Sequence, residues 1–206
     1  MDIPAAVSSR FPMYYEYVCL MEEQGSEWIS SNMMASALGL TSSTIRQDIQ
    51  YIGRIRSSSF GYSTNSFRLL LEAILGIAVG ANMALVGVGS LGSAILRYQG
   101  FRAKGFIIKA VFDKRKDLIG SRVNKMEVYP VGRMAEMVKR KNITIGVITT
   151  PPDVAQSIAD TMVSTQIRGI WNFAPMSLRV PSNVALENVS LCPSLFSLSF
   201  DMKNLK

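Results

Sequence analysis

Three glycines within six residues offer the most specific chemistry in the chain. Gly87-Val88-Gly89-Ser90-Leu91-Gly92 follows a short apolar run, Asn82 to Val86, and leads into a helical stretch, Ser93 to Tyr98. A second apolar run, Gly105 to Phe112, ends at Asp113, 21 residues after Gly92. This order suits a diphosphate and a sugar. The first glycine permits a tight turn, the second lets the backbone approach the phosphates, and the third lets helix and strand pack closely. The helix amino terminus offers free N–H groups and positive potential. A carboxylate at the end of the second strand can accept hydrogen bonds from both ribose hydroxyls of an adenosine. The spacing therefore predicts a bound dinucleotide held by Gly87, Val88, Gly89, Ser90, Leu91, Gly92 and Asp113. A glycine turn in an unliganded α/β domain is the plainer alternative.

Lys114, Arg115 and Lys116 follow directly. They read as an ordinary solvated loop, although their charge would also attract a 2′-phosphate. Asp113 repels that phosphate, so NAD(H) is the favoured ligand, with Lys114 at the edge of its site. Further along, Ile143 to Ile148 is a continuous apolar run, as expected for a parallel strand buried on both faces. Thr149, Thr150, Pro151 and Pro152 lie at its carboxyl end, where ligands bind in open α/β sheets. Gly169 to Trp171 reads as another strand, ending in Asn172. Thr149, Thr150 and Asn172 are short enough to line a nicotinamide pocket, and they are equally good turn residues.

Catalysis has little support. There is no histidine, which removes the commonest general acid/base and the commonest metal ligand. No metal site and no catalytic residue is expected, and the chain is read as no enzyme. Cys19 and Cys192 are far apart and form no metal or redox spacing, so both are expected to be small buried apolar residues in a reducing, cytoplasmic compartment.

The glycine-rich loop needs a parallel α/β sheet around it, and the pattern supplies one. Helical stretches, Val131 to Lys141 and Asp153 to Thr165, alternate with the apolar strands. The apolar run Leu69 to Gly89 is not a membrane span, because Glu72, Asn82 and four glycines interrupt it. A helix followed by a buried strand accounts for it, and no membrane association is expected.

The first third reads differently. Phe11 to Gln24 places Tyr14, Tyr17, Val18 and Met21 on one helical face. Ser30 or Ser31 can cap a helix over Asn32 to Leu38, which Gly39 closes. Thr41 caps the next, Ser42 to Tyr51, with Ile45, Ile49 and Ile52 inward and Arg46, Gln47 and Gln50 outward. Helix, short glycine-containing turn, helix is the helix-turn-helix pattern. Gly53 to Asn65 reads as a two-stranded wing and Phe67 to Gly76 as a returning helix. Two readings stand: a winged helix whose third helix enters the major groove, or a small three-helix packing module.

Charge divides the chain. Residues 1–78 carry five basic and seven acidic side chains, a net −2, whereas 79–206 carry 17 and 8, a net +9. A nucleic-acid footprint is expected as clustered Lys/Arg on the contacting face. The tail from Leu191 to Lys206 holds Leu195, Leu198, Phe200 and Met202. A final apolar helix without an obvious intrachain partner suggests burial against another subunit.

These motifs together resemble one family, the Rex redox-sensing transcriptional repressors. The resemblance runs from about Ile3 to Phe200 through RFPMYY (10–15), TIRQDIQYIG (44–53), FGY (60–62), VGVGSLGSA (86–94), Phe112-Asp113, ITTPP (148–152), VAQSI (154–158), IRGIWNFAP (167–175) and Val180-Pro181. It implies an N-terminal winged-helix domain over 1–78, a Rossmann NAD(H)-binding domain over 79–190, and a C-terminal dimerisation helix over 191–206. That helix would be exchanged between the subunits of a homodimer. The implied function is an NADH/NAD-responsive repressor. Its operator would be met by Thr44, Arg46, Gln47, Gln50, Tyr51, Arg54, Arg56, Ser58 and Tyr62. The chain departs from the family at Gln47, where a basic residue is usual, and at Ser57-Ser58-Ser59-Phe60, where the wing usually carries Lys/Arg and Gly. It also has Ser190 where an acid is usual, an acid for which the resemblance makes Arg10 a partner. The departures predict weakened operator contact and a differently wired switch. A Rex-like NAD(H)-binding paralogue that has lost operator binding and acts through a protein partner is the alternative.

Overall fold

The computed structural model describes residues 3–190 and 192–205. The chain forms two compact units, Met1–Val79 and Gly80–Lys206.

The first unit holds α1 (Ala5–Ser8), α2 (Phe11–Glu23), β1 (Trp28–Ile29), α3 (Ser31–Leu38), α4 (Ser42–Ile52), β2 (Ser57–Ser58), β3 (Gly61–Ser63) and α5 (Thr64–Leu75). Capping sets the helix starts. Ser30 accepts from the Met33 amide and Thr41 from the Thr44 amide, each satisfying a donor that the first turn leaves free. Ser63 caps α5 through the Ser66 amide, so that helix starts at Thr64 and not at Phe67. The apolar faces of α2, α3, α4 and α5 meet in a core of Phe11, Tyr14, Val18, Met34, Ile45, Ile49, Ile52, Phe67 and Leu71. The wing has three strands in the order β1-β3-β2, all antiparallel. The two-residue β1 is too short to carry a legible alternation.

One buried charge organises this unit. Asp48 is 2% exposed. It accepts from Arg10 Nε at 2.6 Å, Arg10 Nη2 at 2.7 Å and the Tyr14 hydroxyl at 2.5 Å. A carboxylate this deep is tolerable only when paired and hydrogen-bonded, and the fork of Arg10 supplies both. The carboxylate that Arg10 holds is thus Asp48 of its own unit, and Ser190 offers none.

The second unit is a seven-stranded sheet in the order β10-β9-β8-β4-β5-β7-β6. Its strands are β4 (Ala81–Val86), β5 (Phe106–Asp113), β6 (Arg122–Val123), β7 (Met126–Pro130), β8 (Ile143–Ile148), β9 (Gly169–Asn172) and β10 (Ala185–Asn188). All neighbours pair in parallel except the hairpin β6–β7. The helices are α6 (Ser90–Arg97), α7 (Gly100–Ala103), α8 (Met134–Arg140), α9 (Pro152–Val163) and α10 (Cys192–Lys203). Two cores, one including Val86, Phe112, Met137 and Ile158 and the other Met83, Leu85, Val111 and Val147, make the central strands buried on both sides. The chain runs from β4 to β5 on one side and later returns to β8 on the other. The strand order therefore reverses at β4, and Val86 pairs with Ile148 there.

Several local expectations shift. The helix expected from Ser93 begins at Ser90, and the one expected from Val131 opens with a 3-10 turn, Val131–Arg133. Hairpin β6–β7 and helix α7 were not foreseen, being too short for a periodicity. Cys19 is half-buried and Cys192 is exposed, which corrects the expectation that both are buried. No described residue of α10 is buried.

Candidate dinucleotide site and DNA-facing surface

The loop from Gly87 to Gly92 is shaped by what a side chain would strike. Gly87 has φ +99°, and a Cβ there would lie 2.8 Å from the Thr149 carbonyl oxygen. A Cβ on Gly92 would run into the Gly87 carbonyl oxygen and come within 2.7 Å of Thr149 Oγ1. A Cβ on Gly89 would meet nothing within 4 Å, because that residue faces the opening. The turn, the open approach and the close helix–strand contact thus fall on the three glycines in the order the spacing predicted. Thr149 locks the arrangement, its hydroxyl donating to the carbonyls of Val86 (3.0 Å) and Gly87 (2.7 Å).

A cleft of about 710 Å³ opens above this loop, at the reversal point of the sheet. It falls in the size range of small-molecule and cofactor sites. Gly87, Gly89, Ser90, Leu91, Asp113, Lys114, Thr149, Thr150 and Pro151 all line it, so most of the predicted cofactor residues converge. Thr150 Oγ1 is buried there without a hydrogen-bond partner, an unmet polar atom of the kind a ligand satisfies.

Three predicted residues play other parts. Val88 turns its side chain into the sheet core, and its amide donates to Asp113 Oδ2 at 2.7 Å. Gly92 is buried packing. Asn172 is fully buried and outside the cleft. Its Nδ2 donates to the Met176 carbonyl (2.8 Å) and to Asn188 Oδ1 (2.8 Å), and its Oδ1 accepts from the Ala174 amide (2.9 Å). That side chain is spent on holding the 172–176 turn and joining β9 to β10.

Arg115 was read as part of a solvated loop; it is exposed, as are Lys114 and Lys116, and it also makes specific contacts. Its guanidinium reaches back to Asp113 Oδ1 (3.4 Å) and to the Val88 carbonyl (3.0 Å), and its amide donates to Asp113 Oδ1 at 2.9 Å. Burial pushes the Asp113 carboxyl up, but the Val88 and Arg115 amides and the Arg115 guanidinium outweigh it and hold it below the ordinary aspartate value. The carboxylate is charged and already engaged. Val131, Val154, Ser157, Ile158 and Phe173 also line the cleft and were not singled out from sequence. Phe173 follows a recognised strand, and Val154 and Ser157 sit in the first turns after Thr150-Pro151. The carboxyl-end rule, applied one turn further, would have found them.

From Phe173 a row of rings crosses the unit. Phe173 meets Trp171 at 4.6 Å between centroids, Trp171 meets Phe101 at 5.4 Å, and Phe101 meets Tyr98 at 4.7 Å. Phe101 and Trp171 also border an apolar recess of about 440 Å³ with Met83, Phe106 and Leu186.

In the first unit, α4 presents an exposed stripe of Ser43, Arg46, Gln47 and Gln50, continued by Arg54. Arg46 Nη1 donates to Ser31 Oγ at 3.2 Å, at the start of α3. Arg56, Ser58 and Phe60 are exposed on or beside the wing, with the Arg56 guanidinium 5.7 Å above the Trp28 ring. Thr44 is half-buried and shares a hydrogen bond with Thr41. Tyr51 packs on the core, and Tyr62 lies edge-on to Phe67 at 6.1 Å. Both are therefore chiefly packing residues. The net −2 of this third of the chain is misleading. Between Trp28 and Leu71 the only acid is Asp48, which is buried and paired. The other acids lie outside that segment, and Glu22 and Glu72 both pair with Arg68.

A helix-turn-helix with a wing, carried on the same chain as a Rossmann-type sheet with a switch-point cleft, defines a class: DNA-binding regulators with a nucleotide-binding domain. Comparison with known proteins narrows it. Residues 2–49 match the family model described as "Putative DNA-binding protein N-terminus", and residues 80–176 match that of the CoA binding domain. The redox-sensing transcriptional repressor Rex of Clostridioides difficile (strain 630) is 38% identical over 205 residues, covering 100% of this chain and 98% of its own. The crystal structure of RSP in complex with β-NAD+ and operator DNA is 35% identical with TM-score 0.90, covering 99% of this chain and 94% of that one. The structure of RSP with β-NADH gives the same identity and TM-score, covering 99% and 96%. The chain belongs to the Rex family of redox-sensing transcriptional repressors.

Among the described residues, no helix is long and apolar enough to cross a membrane and no group of three or more His, Cys, Asp or Glu is placed to hold a metal.

Proposed function

We propose that this chain is a transcriptional repressor whose hold on operator DNA is set by the NAD(H) in its cleft. The likeness to RSP carries this reading, since that relative, 35% identical over 99% of this chain, is known with NAD+ and operator DNA together and with NADH. The geometry supports it: three glycines in their expected places, a charged Asp113, an unsatisfied Thr150 hydroxyl and a cleft of suitable size. The diphosphate rests at the amino terminus of α6, on the Gly89 side of the loop. Asp113 takes the adenosine ribose once Arg115 swings aside, and Thr150 and Pro151 border the nicotinamide half.

We read the operator contacts as Arg46, Gln47, Gln50, Arg54, Arg56 and Ser58, with Thr44 beside them. An amide such as Gln47 or Gln50 reads adenine edges well, so these residues keep a base-reading function even where charge is missing. That the segment from Trp28 to Leu71 holds no acid but the buried Asp48 favours this over the reading in which operator binding is lost. The chain acts as a cytoplasmic homodimer. Supporting this, α10 exposes Leu195, Phe196 and Phe200 at 61–70%, an apolar load that calls for a partner surface. Catalytic turnover has no part in this reading, in keeping with relatives named as repressors.

A ligand shifts a two-state equilibrium only by its differential affinity for the two states. NADH must then bind the DNA-free arrangement better than the DNA-bound one. Fluorescence anisotropy with the upstream region of the chain's own gene tests this. Specific binding that persists with NAD+ and falls on adding NADH is the expected result. No specific binding at low salt under either condition would overturn it.

A further inference from the structure

We propose that Phe60, at the tip of the wing, is an apolar wedge that enters the minor groove and parts one base step of the operator. This rests on the operator-binding reading above. Ser58 pairs with Gly61 across β2 and β3, so Ser59 and Phe60 form a two-residue loop at the outermost point of the hairpin. Phe60 is 76% exposed, more than any other aromatic residue described. A ring so placed gains by any contact that removes it from water.

The tip is held rigidly. Gly61 has φ +123°, and a Cβ there would strike the Ile29 carbonyl oxygen, so β3 passes hard against β1 immediately behind Phe60. Ser58 Oγ accepts from the Phe60 amide at 3.1 Å. Next along, Tyr62 is fixed edge-on to Phe67. The backbone that carries the ring is therefore pre-organised, which limits the freedom lost on binding to that of the Phe60 side chain.

The chemistry around the ring points to a duplex. Its neighbours Ser57, Ser58 and Ser59 are exposed, short and uncharged, compatible with a groove only about 6 Å wide. The wing tip carries no cation, so it cannot draw on phosphate charge. No exposed acid lies between Trp28 and Leu71 to repel the backbone. The same unit presents the amide- and arginine-bearing stripe of α4, with which the wing is continuous in sequence. Phenylalanine is among the apolar wedges that minor-groove binders insert between base steps, unstacking them and kinking the duplex.

The test uses the full chain, its Phe60→Ala and Phe60→Leu variants, and a palindromic duplex selected by the wild type from a random pool at low salt. 2-Aminopurine is placed at successive steps flanking each half-site. Wild type should raise the probe's fluorescence at one step per half-site, and Phe60→Leu should do the same. Phe60→Ala should abolish that signal and weaken binding on the order of a hundredfold, the size of two base–aromatic contacts, one in each half-site. The slope of affinity against salt should stay unchanged, because no phosphate contact is removed. Full affinity in Phe60→Ala, or a bound duplex with every probe position silent, overturns the wedge. So does a Phe60→Ala variant that keeps its DNA but loses self-association, which would give the ring to a second chain. If no duplex emerges from the pool, the operator-binding reading fails instead.

Discussion

At the scale of single residues, two carboxylates carry most of the electrostatic design, and they are handled oppositely. Asp48 is sealed into the first unit by Arg10 and Tyr14. Asp113 is held charged at the cleft edge by two amides and a guanidinium. Replacing the charged acceptor with Asp113→Asn removes a hydrogen-bond acceptor to charge, worth about 1.5–3 kcal/mol. Calorimetry should show NADH affinity falling roughly tenfold or more, with melting lowered as well, because the Val88 or Arg115 amide loses its acceptor. An unaltered affinity would mean that Asp113 only ties the loop to β5. Around Asp48, burial and then the Asp48 carboxylate push the Tyr14 hydroxyl up to about 12, with Arg10 pulling the other way. In the unfolded chain a tyrosine titrates near ~10. The folded state therefore holds this proton more tightly, and its contribution is complete below pH ~10 and lost as pH rises through about 12. Urea midpoints should stay level from pH 7 to 10 and then drop. The Tyr14→Phe variant, with no proton to lose, should drop less by an amount on the order of 2 kcal/mol. Parallel pH profiles for the two proteins would contradict this.

At the scale of elements, legibility followed length and chemistry. Ile143–Ile148 was readable to the residue because a strand buried on both faces is apolar throughout. The caps Thr41 and Gly39 were readable because each satisfies a specific backbone need, whereas Ser30 and Ser31 stood as equal candidates until the structure gave the cap to Ser30. The glycine loop was readable because each glycine answers to a separate steric demand. Illegible elements were those whose residues follow no period, namely β1, α7 and the β6–β7 hairpin. Within the site, Asn172 looked like a ligand residue because it stands at a strand end, yet strand ends also need their own turns tied. Arg115 read as a solvated side chain and is exposed, but its contact with Asp113 was illegible because only the fold brings the two together. The charge sum of the first third hid a segregation that is plain once Asp48 is known to be buried. The helix α10 was foreseen as an element, and its partner is a matter for experiment. Deleting 191–206 removes the exposed Leu195, Phe196, Phe200 and Met202 and should turn a dimer into a monomer on light scattering. A truncated chain that stays dimeric would place the association elsewhere.

At the scale of the whole molecule, two sites on one chain matter only if they share a free energy. A repressor released by NADH must couple cleft and operator by about 1–3 kcal/mol in the usual range. Coupling is reciprocal, so the operator must weaken NADH by the factor with which NADH weakens the operator. The most direct measurement is NADH affinity by calorimetry, made once on the free protein and once with saturating operator, and repeated with NAD+. Operator should lower NADH affinity between about 5- and 150-fold and leave NAD+ binding far less affected. Equal NADH affinity with and without DNA, under conditions where the protein binds both, would contradict it.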